Sequence, residues 1–459
     1  MRRKTGLPPM SSPRGIAWEI LSRIDGEGAF AEPLLDAALQ GGDMKEEDRR
    51  LLTDLVYGTV RMRNRLDWVI GKLYRGKQAA MDPVLRNLLR LGFYQLLMRD
   101  RIPAFAVVHE TVELAKRARP GREKLVNALL RNGIRRAGEI SYPDRESDPE
   151  GYISVYHSHP PWLVRRWIGQ FGADETVRMC ARNNEPPGLT LRVHPSVDPE
   201  RVMGDLADLG VSARRARYAP GAVVTEGQGG KVREYVLSRR RGEIAIQDEA
   251  SQLVAGLVRP LPGESVLDLC AGTGRKALQM AGAMGNRGEI LAVDLNARKL
   301  EILGETAVEA GCSILRTLEG DGTEDLGVRF RERFDKVLVD APCSGTGTVR
   351  RKPEIRWRLG EEDPGRMAIL QAGLLRAAAR YVKPGGWIVY GTCSLLREEN
   401  EDVVEGFPGI DKEFRRLDLA PFVPAELLWG ERIFRTFPHR HDMDGFTAVV
   451  LQRTDEKGA

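Results

Sequence analysis

Two cysteines stand in settings that suit a thiol to reaction rather than to packing. Cys343 lies in Asp340-Ala-Pro-Cys-Ser-Gly345, and Cys393 lies in Gly391-Thr-Cys-Ser394. A lone cysteine is most often a small buried hydrophobe, but these two sit among glycines, a proline and polar residues, each following an apolar run of strand composition. A thiolate is a strong nucleophile once its pKa is depressed or a base stands beside it. Methylation at carbon 5 of a pyrimidine is a chemistry that needs such groups. That carbon is a poor nucleophile until a thiolate adds to carbon 6, and a proton must afterwards leave carbon 5 so that the thiolate can be expelled. Asp340 is placed to meet the ring's polar edge and stabilise the charge on addition. A nicotinamide dehydrogenase has no general use for this pair of thiols. The residues by themselves do not rank the two cysteines.

A methyl donor needs a site, and one glycine loop offers it. Gly272-Thr-Gly-Arg-Lys-Ala277 matches the Gly-x-Gly-x-x-Gly/Ala pattern of nucleotide-binding folds, with Asp294 following about twenty residues on. The run Cys270, Ala271, Gly272, Thr273, Gly274, Arg275 and Lys276 lets the backbone turn tightly and approach a ligand. Asp294 can accept from both ribose hydroxyls, and Asp321 can take an adenine amino group. The loop alone fits NAD, FAD or S-adenosylmethionine.

These residues need a scaffold that brings them together. From about Glu243 the chain alternates strands and helices, the pattern of a parallel sheet built from βαβ units. Ser265-Val-Leu-Asp-Leu269 runs into the glycine loop, Ile290-Leu-Ala-Val293 ends at Asp294, Phe334-Asp-Lys-Val-Leu-Val339 ends at Asp340, and Trp387-Ile-Val-Tyr390 leads to Cys393. Ligands of such sheets sit outside the carboxyl ends of the strands, so all of these groups are expected at one crevice. Residues 243–459 are therefore read as a Rossmann-like α/β domain. Residues 141–242 open with a polar linker, carry Pro160-Pro-Trp162 before a helix, and break at Pro186-Pro-Gly188 before the strand-like Leu189-Thr-Leu-Arg-Val193; they are expected to form a small α+β subdomain. Residues 1–140 read as an all-α bundle. Leu51, Leu52, Leu55 and Val56, then Leu85, Leu88, Leu89 and Phe93, fall at helical spacing, and Arg61, Arg63, Arg65, Arg131, Arg135 and Arg136 are expected on its surface.

Charge divides along the same lines. The 459-residue chain has a net charge of +5, but residues 1–140 hold 26 Lys/Arg against 17 Asp/Glu and the remainder 44 against 48. A basic module on a slightly acidic body suggests a polyanionic partner. Five cysteines, an odd number without metal-ligand spacing, do not form a disulfide framework, and no run is long enough to span a bilayer. A reducing cytoplasm, no membrane, no metal and no implied oligomer are the expectations. Arg350, Arg351, Lys352, Arg356 and Trp357 combine phosphate-pairing charge with a ring able to stack on a base, and are expected to contact RNA.

The motifs together resemble the RNA (cytosine-5) methyltransferases, and among them the bacterial Sun/RsmB branch. Asp340-Ala-Pro-Cys-Ser-Gly-Thr-Gly347 and Thr392-Cys-Ser394 are similar to that family's two cysteine motifs. Gln247-Asp-Glu-Ala-Ser-Gln252, Arg350-Arg-Lys-Pro-Glu-Ile-Arg-Trp357, Glu398-Glu-Asn400 and Asp444-Gly-Phe446 match further segments. The helical front, with Leu55-Val-Tyr-Gly-Thr-Val-Arg61, Leu91-Gly-Phe-Tyr-Gln-Leu96 and Val126-Asn-Ala-Leu-Leu-Arg131, is similar to a NusB-like RNA-binding domain. The resemblance implies a class I methyltransferase domain using S-adenosyl-L-methionine, surrounded by the Cys270–Lys276 loop, Asp294, Asp321 and Asp340, with Cys393 as nucleophile and Cys343 assisting product release. It implies 16S ribosomal RNA or a small-subunit precursor as partner, at the cytosine 967 type of site. The family's glycine loop usually reads Cys-Ala-Ala-Pro-Gly-Gly-Lys-Thr; here Thr273 and Arg275 replace its proline and a glycine, while Lys276 is kept. A nicotinamide-dependent oxidoreductase and a non-catalytic RNA-binding protein of enzymatic descent are the competing readings.

Overall fold

A computed structural model describes residues 11–40, 44–239, 242–410 and 412–454. The basic N-terminal run Arg2, Arg3 and Lys4 lies outside the described residues. Contacts divide the chain into two compact units, residues 1–185 with 351–360, and residues 186–350 with 361–459.

The first unit is helical: α1 (Pro13–Glu27), α2 (Ala31–Gln40), α3 (Glu46–Arg61), α4 (Arg63–Leu73), α5 (Pro83–Met98), α6 (Ala104–Ala118), α7 (Glu123–Arg136), α8 (Pro149–Tyr156), α9 (Pro161–Phe171) and α10 (Ala173–Asn183). Local signals set the ends of α1. The Ser12 hydroxyl accepts from the Gly15 amide at its head, Pro13 occupies the first turn, and Gly28 stops it at φ +64°. The leucine stripes read from sequence form one core, with Leu52, Leu55, Leu88, Leu89 and Phe93 fully buried. Gly58 is required where α3 meets α5: a Cβ there would lie 2.0 Å from the Tyr94 ring. Of the arginines expected on the surface, Arg61 is instead buried.

Residues 351–360 belong to this helical unit although they follow the first cysteine motif in sequence. Their short helix α16 (Ile355–Arg358) inserts Trp357 against the bundle core, and the indole Nε1 donates to the Val60 carbonyl at 2.7 Å. The Glu354 carboxylate accepts from the Ala31 amide at 3.1 Å.

The second unit carries two sheets. The smaller contains β1 (Leu189–Val193), β2 (Ser212–Arg215), β3 (Val223–Glu226) and β4 (Ile244–Ile246) in the order β2-β3-β1-β4, all antiparallel. Its core of Leu191, Val193, Val202, Leu206, Val223 and Tyr235 is covered by α11 (Pro199–Asp208) and α12 (Gly229–Leu237).

The larger sheet contains β5 (Ser265–Asp268), β6 (Glu289–Asp294), β7 (Leu315–Glu319), β8 (Phe334–Asp340), β9 (Val382–Thr392), β10 (Phe414–Arg416), β11 (Phe434–Arg435) and β12 (Thr447–Arg453). Its order is β10-β12-β9-β8-β5-β6-β7, with β11 beside β12. Strands β5 to β9 pair in parallel, and β12 is antiparallel to β9. Helices α13 (Glu249–Leu257), α14 (Arg275–Ala283), α15 (Ala297–Ala310) and α17 (Asp363–Tyr381) cover it. Both faces are buried, and Val266, Leu267, Val337, Leu338, Val339 and Ile388 read as unbroken apolar runs for that reason. The order reverses between β5 and β8, and a crevice opens at the carboxyl ends of strands at such a point. Among the described residues, no helix is long and apolar enough to cross a membrane.

Candidate active site

The crevice collects the groups the sequence pointed to. Asp268, Asp294 and Asp340 are the last residues of β5, β6 and β8, and Asp321 follows β7. The glycine loop links β5 to α14. Gly272 and Gly274 adopt φ of +56° and +79°, where an L side chain is strained. At Gly274 a Cβ would also strike Leu303 at 1.9 Å, whereas at Gly272 the same position is open. The loop is tied to the next strand by the Gly272 amide, which donates to Asp294 Oδ2 at 2.8 Å. Asp294 Oδ1 accepts from the Asn296 amide at 2.9 Å, and Asp321 Oδ1 from the Thr323 amide and hydroxyl at 2.8 and 2.7 Å. Lys276 pairs with Asp340. Arg275 is exposed at the head of α14.

Four carboxylates surround Cys270: burial first, then Asp268, Asp340, Asp294 and Asp321, push its thiol well up. Asp268 is 1% exposed, and the Cys270 backbone amide is the donor that acts on its carboxylate. Burial, reinforced by Asp340, raises its carboxyl to about 7. Carboxylate acceptors gathered around one crevice fit a ligand rich in donors and carrying positive charge. S-adenosylmethionine brings an ammonium, a sulfonium, ribose hydroxyls and an adenine amino group. A dinucleotide would bring a diphosphate into the same ring of carboxylates, so the nicotinamide reading loses its site.

The two cysteines meet beside this crevice. Strands β8 and β9 are parallel neighbours with Asp340 opposite Gly391, and the turns that follow them bring Cys343 Sγ to 3.2 Å from Cys393 Sγ. The hydrogen bond to Cys393, and then burial, hold the Cys343 thiol well above its ordinary pKa. The turns are stitched together through backbone. The Gly347 amide donates to the Cys393 carbonyl at 2.9 Å, and the Gly445 amide donates to the Gly347 carbonyl at 2.8 Å. No side chain fits at Gly347, where a Cβ would lie 1.9 Å from the Gly445 oxygen.

Glu399 joins the same two turns from beneath, and the sequence had shown it without a role. It is fully buried. Its Oε1 accepts from the Ser344 amide at 2.7 Å and from Gln371 Nε2 at 3.2 Å, and its Oε2 accepts from the hydroxyls of Ser344 and Ser394. Each serine directly follows one of the cysteines. Gln371 Nε2 also donates to the Pro342 carbonyl at 2.9 Å. Acidic residues beside two serine-bearing cysteine motifs were the available signal. Asp268 was hidden inside an apolar strand, where a carboxylate is itself the anomaly.

The residues expected to contact RNA are placed as follows. Arg350 is 3% exposed and pairs with Asp442 Oδ1 at 2.8 Å. Arg356 is fully buried, donating to the Ser158 carbonyl at 2.9 Å and to Asn184 Oδ1 at 3.0 Å. Trp357 is committed to the helical core. Arg351 is half-buried, and Lys352 is exposed. Arg350, Arg356 and Trp357 thus have partners within the protein, and Lys352 is the member of the set left exposed. His441, in the His439-Arg-His441 run, is also turned inward, with its Nδ1 accepting from the Phe437 amide at 2.9 Å.

Comparison with known proteins agrees with this architecture. Residues 255–452 match the family model described as 16S rRNA methyltransferase RsmB/F, residues 11–135 the NusB family, and residues 159–230 the ferredoxin-like domain of RsmF/B-like methyltransferases. The chain is 34% identical to the probable ribosomal RNA small subunit methyltransferase B of Bacillus subtilis, over 96% of this chain and 99% of the relative. It is 36% identical to the ribosomal RNA small subunit methyltransferase B of Thermus thermophilus, over 97% and 99%. Among solved structures, that of PH0851 superposes with a TM-score of 0.80 at 29% identity, covering 97% of this chain and all of the other.

Proposed function

The chain belongs to the RsmB/F family of 16S rRNA methyltransferases, and from that membership we propose that it methylates carbon 5 of a cytosine in 16S ribosomal RNA through a covalent bond from Cys393 to carbon 6. The observation that supports it most is the 3.2 Å approach of Cys343 and Cys393 at the rim of the carboxylate crevice. Asp268, Asp294, Asp321 and the Cys270–Lys276 loop would hold S-adenosylmethionine, which supplies an electrophilic methyl group on sulfur. The contact with Cys393 and burial hold the Cys343 thiol up, and the likeness to the family's two cysteine motifs assigns the attacking thiolate to Cys393. That sulfur adds to carbon 6, and the electron pair moves to carbon 5. Asp340 stabilises the ring's polar edge as charge develops, with Lys276 beside it. Once carbon 5 bears the methyl group, its proton must go to a base. Cys343 stands beside the bond to be broken, and its sulfur, deprotonated at that stage, takes this proton as the carbon–sulfur bond reopens and the electron pair leaves with Cys393. A cytosine in structured RNA must leave its stack to reach both groups, so a loop or bulge is the expected target.

The two cysteines separate the roles. Cys393→Ala should abolish methylation and any covalent RNA adduct. Cys343→Ala should still add and transfer, then stall as a protein–RNA species that survives denaturing electrophoresis. The opposite pattern would make Cys343 the nucleophile. Bisulfite sequencing of 16S rRNA from a deletion strain would identify the cytosine, and an unchanged methylation pattern would overturn the proposal.

A further inference from the structure

Helix α17 turns a face to solvent that the chemistry above leaves without a use. Past Pro364 its exposed residues are Gly365, Arg366, Ile369, Leu370, Arg376 and Arg380. That is three cations and two aliphatic side chains, with no carboxylate and no neutral polar group. The spacing places all five side chains along one side of the helix, where a surface helix is ordinarily charged or polar. Ile369 is 75% exposed and Leu370 37%. Arg366 is held by Asp363, but among the described residues Arg376 and Arg380 make no ion pair and no side-chain hydrogen bond. Arg380 borders an open depression with Arg331, Glu332 and Arg453; there Arg331 pairs with Asp325 and Arg453 with Glu332.

The helix leads into β9, which is parallel to β8, so it runs against the strands and begins at their carboxyl edge. At that edge Gln371 Nε2 donates to the carbonyl of Pro342, the residue before Cys343, at 2.9 Å. A Cβ on Gly373 would lie 3.3 Å from Thr323, whose hydroxyl holds Asp321. Ile369 and Leu370 therefore stand at the crevice rim, and Arg376 and Arg380 follow about two and three turns farther along.

We propose that this face of α17 carries the RNA strand flanking the extruded cytosine. Ile369 and Leu370 lie against the sugar and base of a neighbouring nucleotide, and Arg376 and Arg380 take backbone phosphates beyond it. Residues 366 to 380 span about 21 Å of helix, so the contact extends well past the crevice. Charge favours this occupant. Residues 141–459 hold 44 Lys/Arg against 48 Asp/Glu, yet this face carries positive charge alone. Guanidinium groups without an internal carboxylate can fork onto phosphate oxygens and give up no partner in doing so. Two aliphatic side chains cover far less than the ~800 Å² that a protein partner needs on one side. The inference rests on RNA being the substrate and names where its flanking strand lies.

The test uses the full chain with a 16S rRNA fragment, by fluorescence anisotropy between about 50 and 200 mM salt. Arg376→Gln combined with Arg380→Gln should weaken binding roughly tenfold at the lower salt. It should also lower the log–log salt slope by roughly 1.4 to 1.8, the share of two phosphate contacts. Ile369→Ser should weaken binding roughly threefold at an unchanged slope, because an apolar contact releases no counterions. All of these side chains are exposed, so each variant should melt within about 2 °C of wild type. Arg287→Gln combined with Arg415→Gln removes the same charge from exposed positions outside α17 and should keep most of the affinity. Unchanged affinity and slope in the α17 double variant would overturn the proposal and give the face to a partner other than RNA. An equal loss in the Arg287 and Arg415 variant would also overturn it, because net charge alone would then account for the effect. A wild-type chain that binds the fragment with the expected α17 dependence but does not methylate it would refute the proposed activity and leave the strand contact standing. Wild type that does not bind the fragment would overturn both.

Discussion

Replacing Glu399 tests whether the two cysteines are held as a pair by one buried carboxylate. Glu399→Ala removes the acceptor for the Ser344 amide at 2.7 Å, for Gln371 Nε2 at 3.2 Å, and for two serine hydroxyls. The hydroxyls can rotate, since Ser344, Thr346 and Ser394 already form a cluster; the backbone amide cannot. A hydrogen bond to a charged group contributes about 1.5–3 kcal/mol net, and a stranded buried donor costs about 1–3 kcal/mol. The loss should be about 3–5 kcal/mol, or about 10 °C in melting temperature for a unit of this size. Glu399→Gln keeps the shape, and its amide oxygen can still serve the Ser344 amide while its NH2 group faces the serine hydroxyls. It should cost about 1 kcal/mol. Both variants remove a charge that helps hold the Cys343 thiol up, so Cys343 should be alkylated by iodoacetamide at lower pH, read by mass spectrometry. Parting the two turns by about 1 Å should lower kcat about 100-fold in Glu399→Ala, while S-adenosylmethionine affinity is retained. An alanine variant with wild-type melting temperature and kcat would refute the reasoning.

Other outcomes follow from single groups. The Asp268 carboxyl, raised to about 7 in the folded chain, titrates near about 3.9 when unfolded. Between those values the folded state binds the extra proton, so this group's contribution to stability falls as pH rises toward 7. In thermal melts without ligand, Asp268→Asn should therefore exceed wild type at pH 8, and the gap should close toward pH 4; a gap independent of pH would contradict this. Gly347→Ala would set a Cβ 1.9 Å from the Gly445 oxygen, costing about 1–3 kcal/mol and most of the methylation activity. Normal turnover would show that the stitching of the turns is dispensable. Trp357→Ala should destabilise the helical unit by about 3 kcal/mol and leave the salt slope of RNA binding unchanged; a shallower slope would return this segment to the RNA surface.

The sequence was most legible where local rules suffice. Strand-end positions of Asp294, Asp340 and Cys393 followed from apolar runs that stop at polar residues, and a parallel sheet delivers all such ends to one edge. Helical spacing disclosed the bundle core, and the glycine pattern disclosed the loop at Gly272 and Gly274, where positive φ leaves little choice of residue. Partners distant in the chain were not legible, because composition reports what a side chain can do and not what it meets. Arg350-Arg-Lys352 and Arg356-Trp357 carry the composition of an RNA contact, yet folding buries Arg350 and Arg356 and packs the half-buried Trp357 against the bundle core. Glu399 was visible as a letter in a motif; it became the link between Cys343 and Cys393 only when β8 and β9 were paired in parallel and their following turns met over a single buried carboxylate.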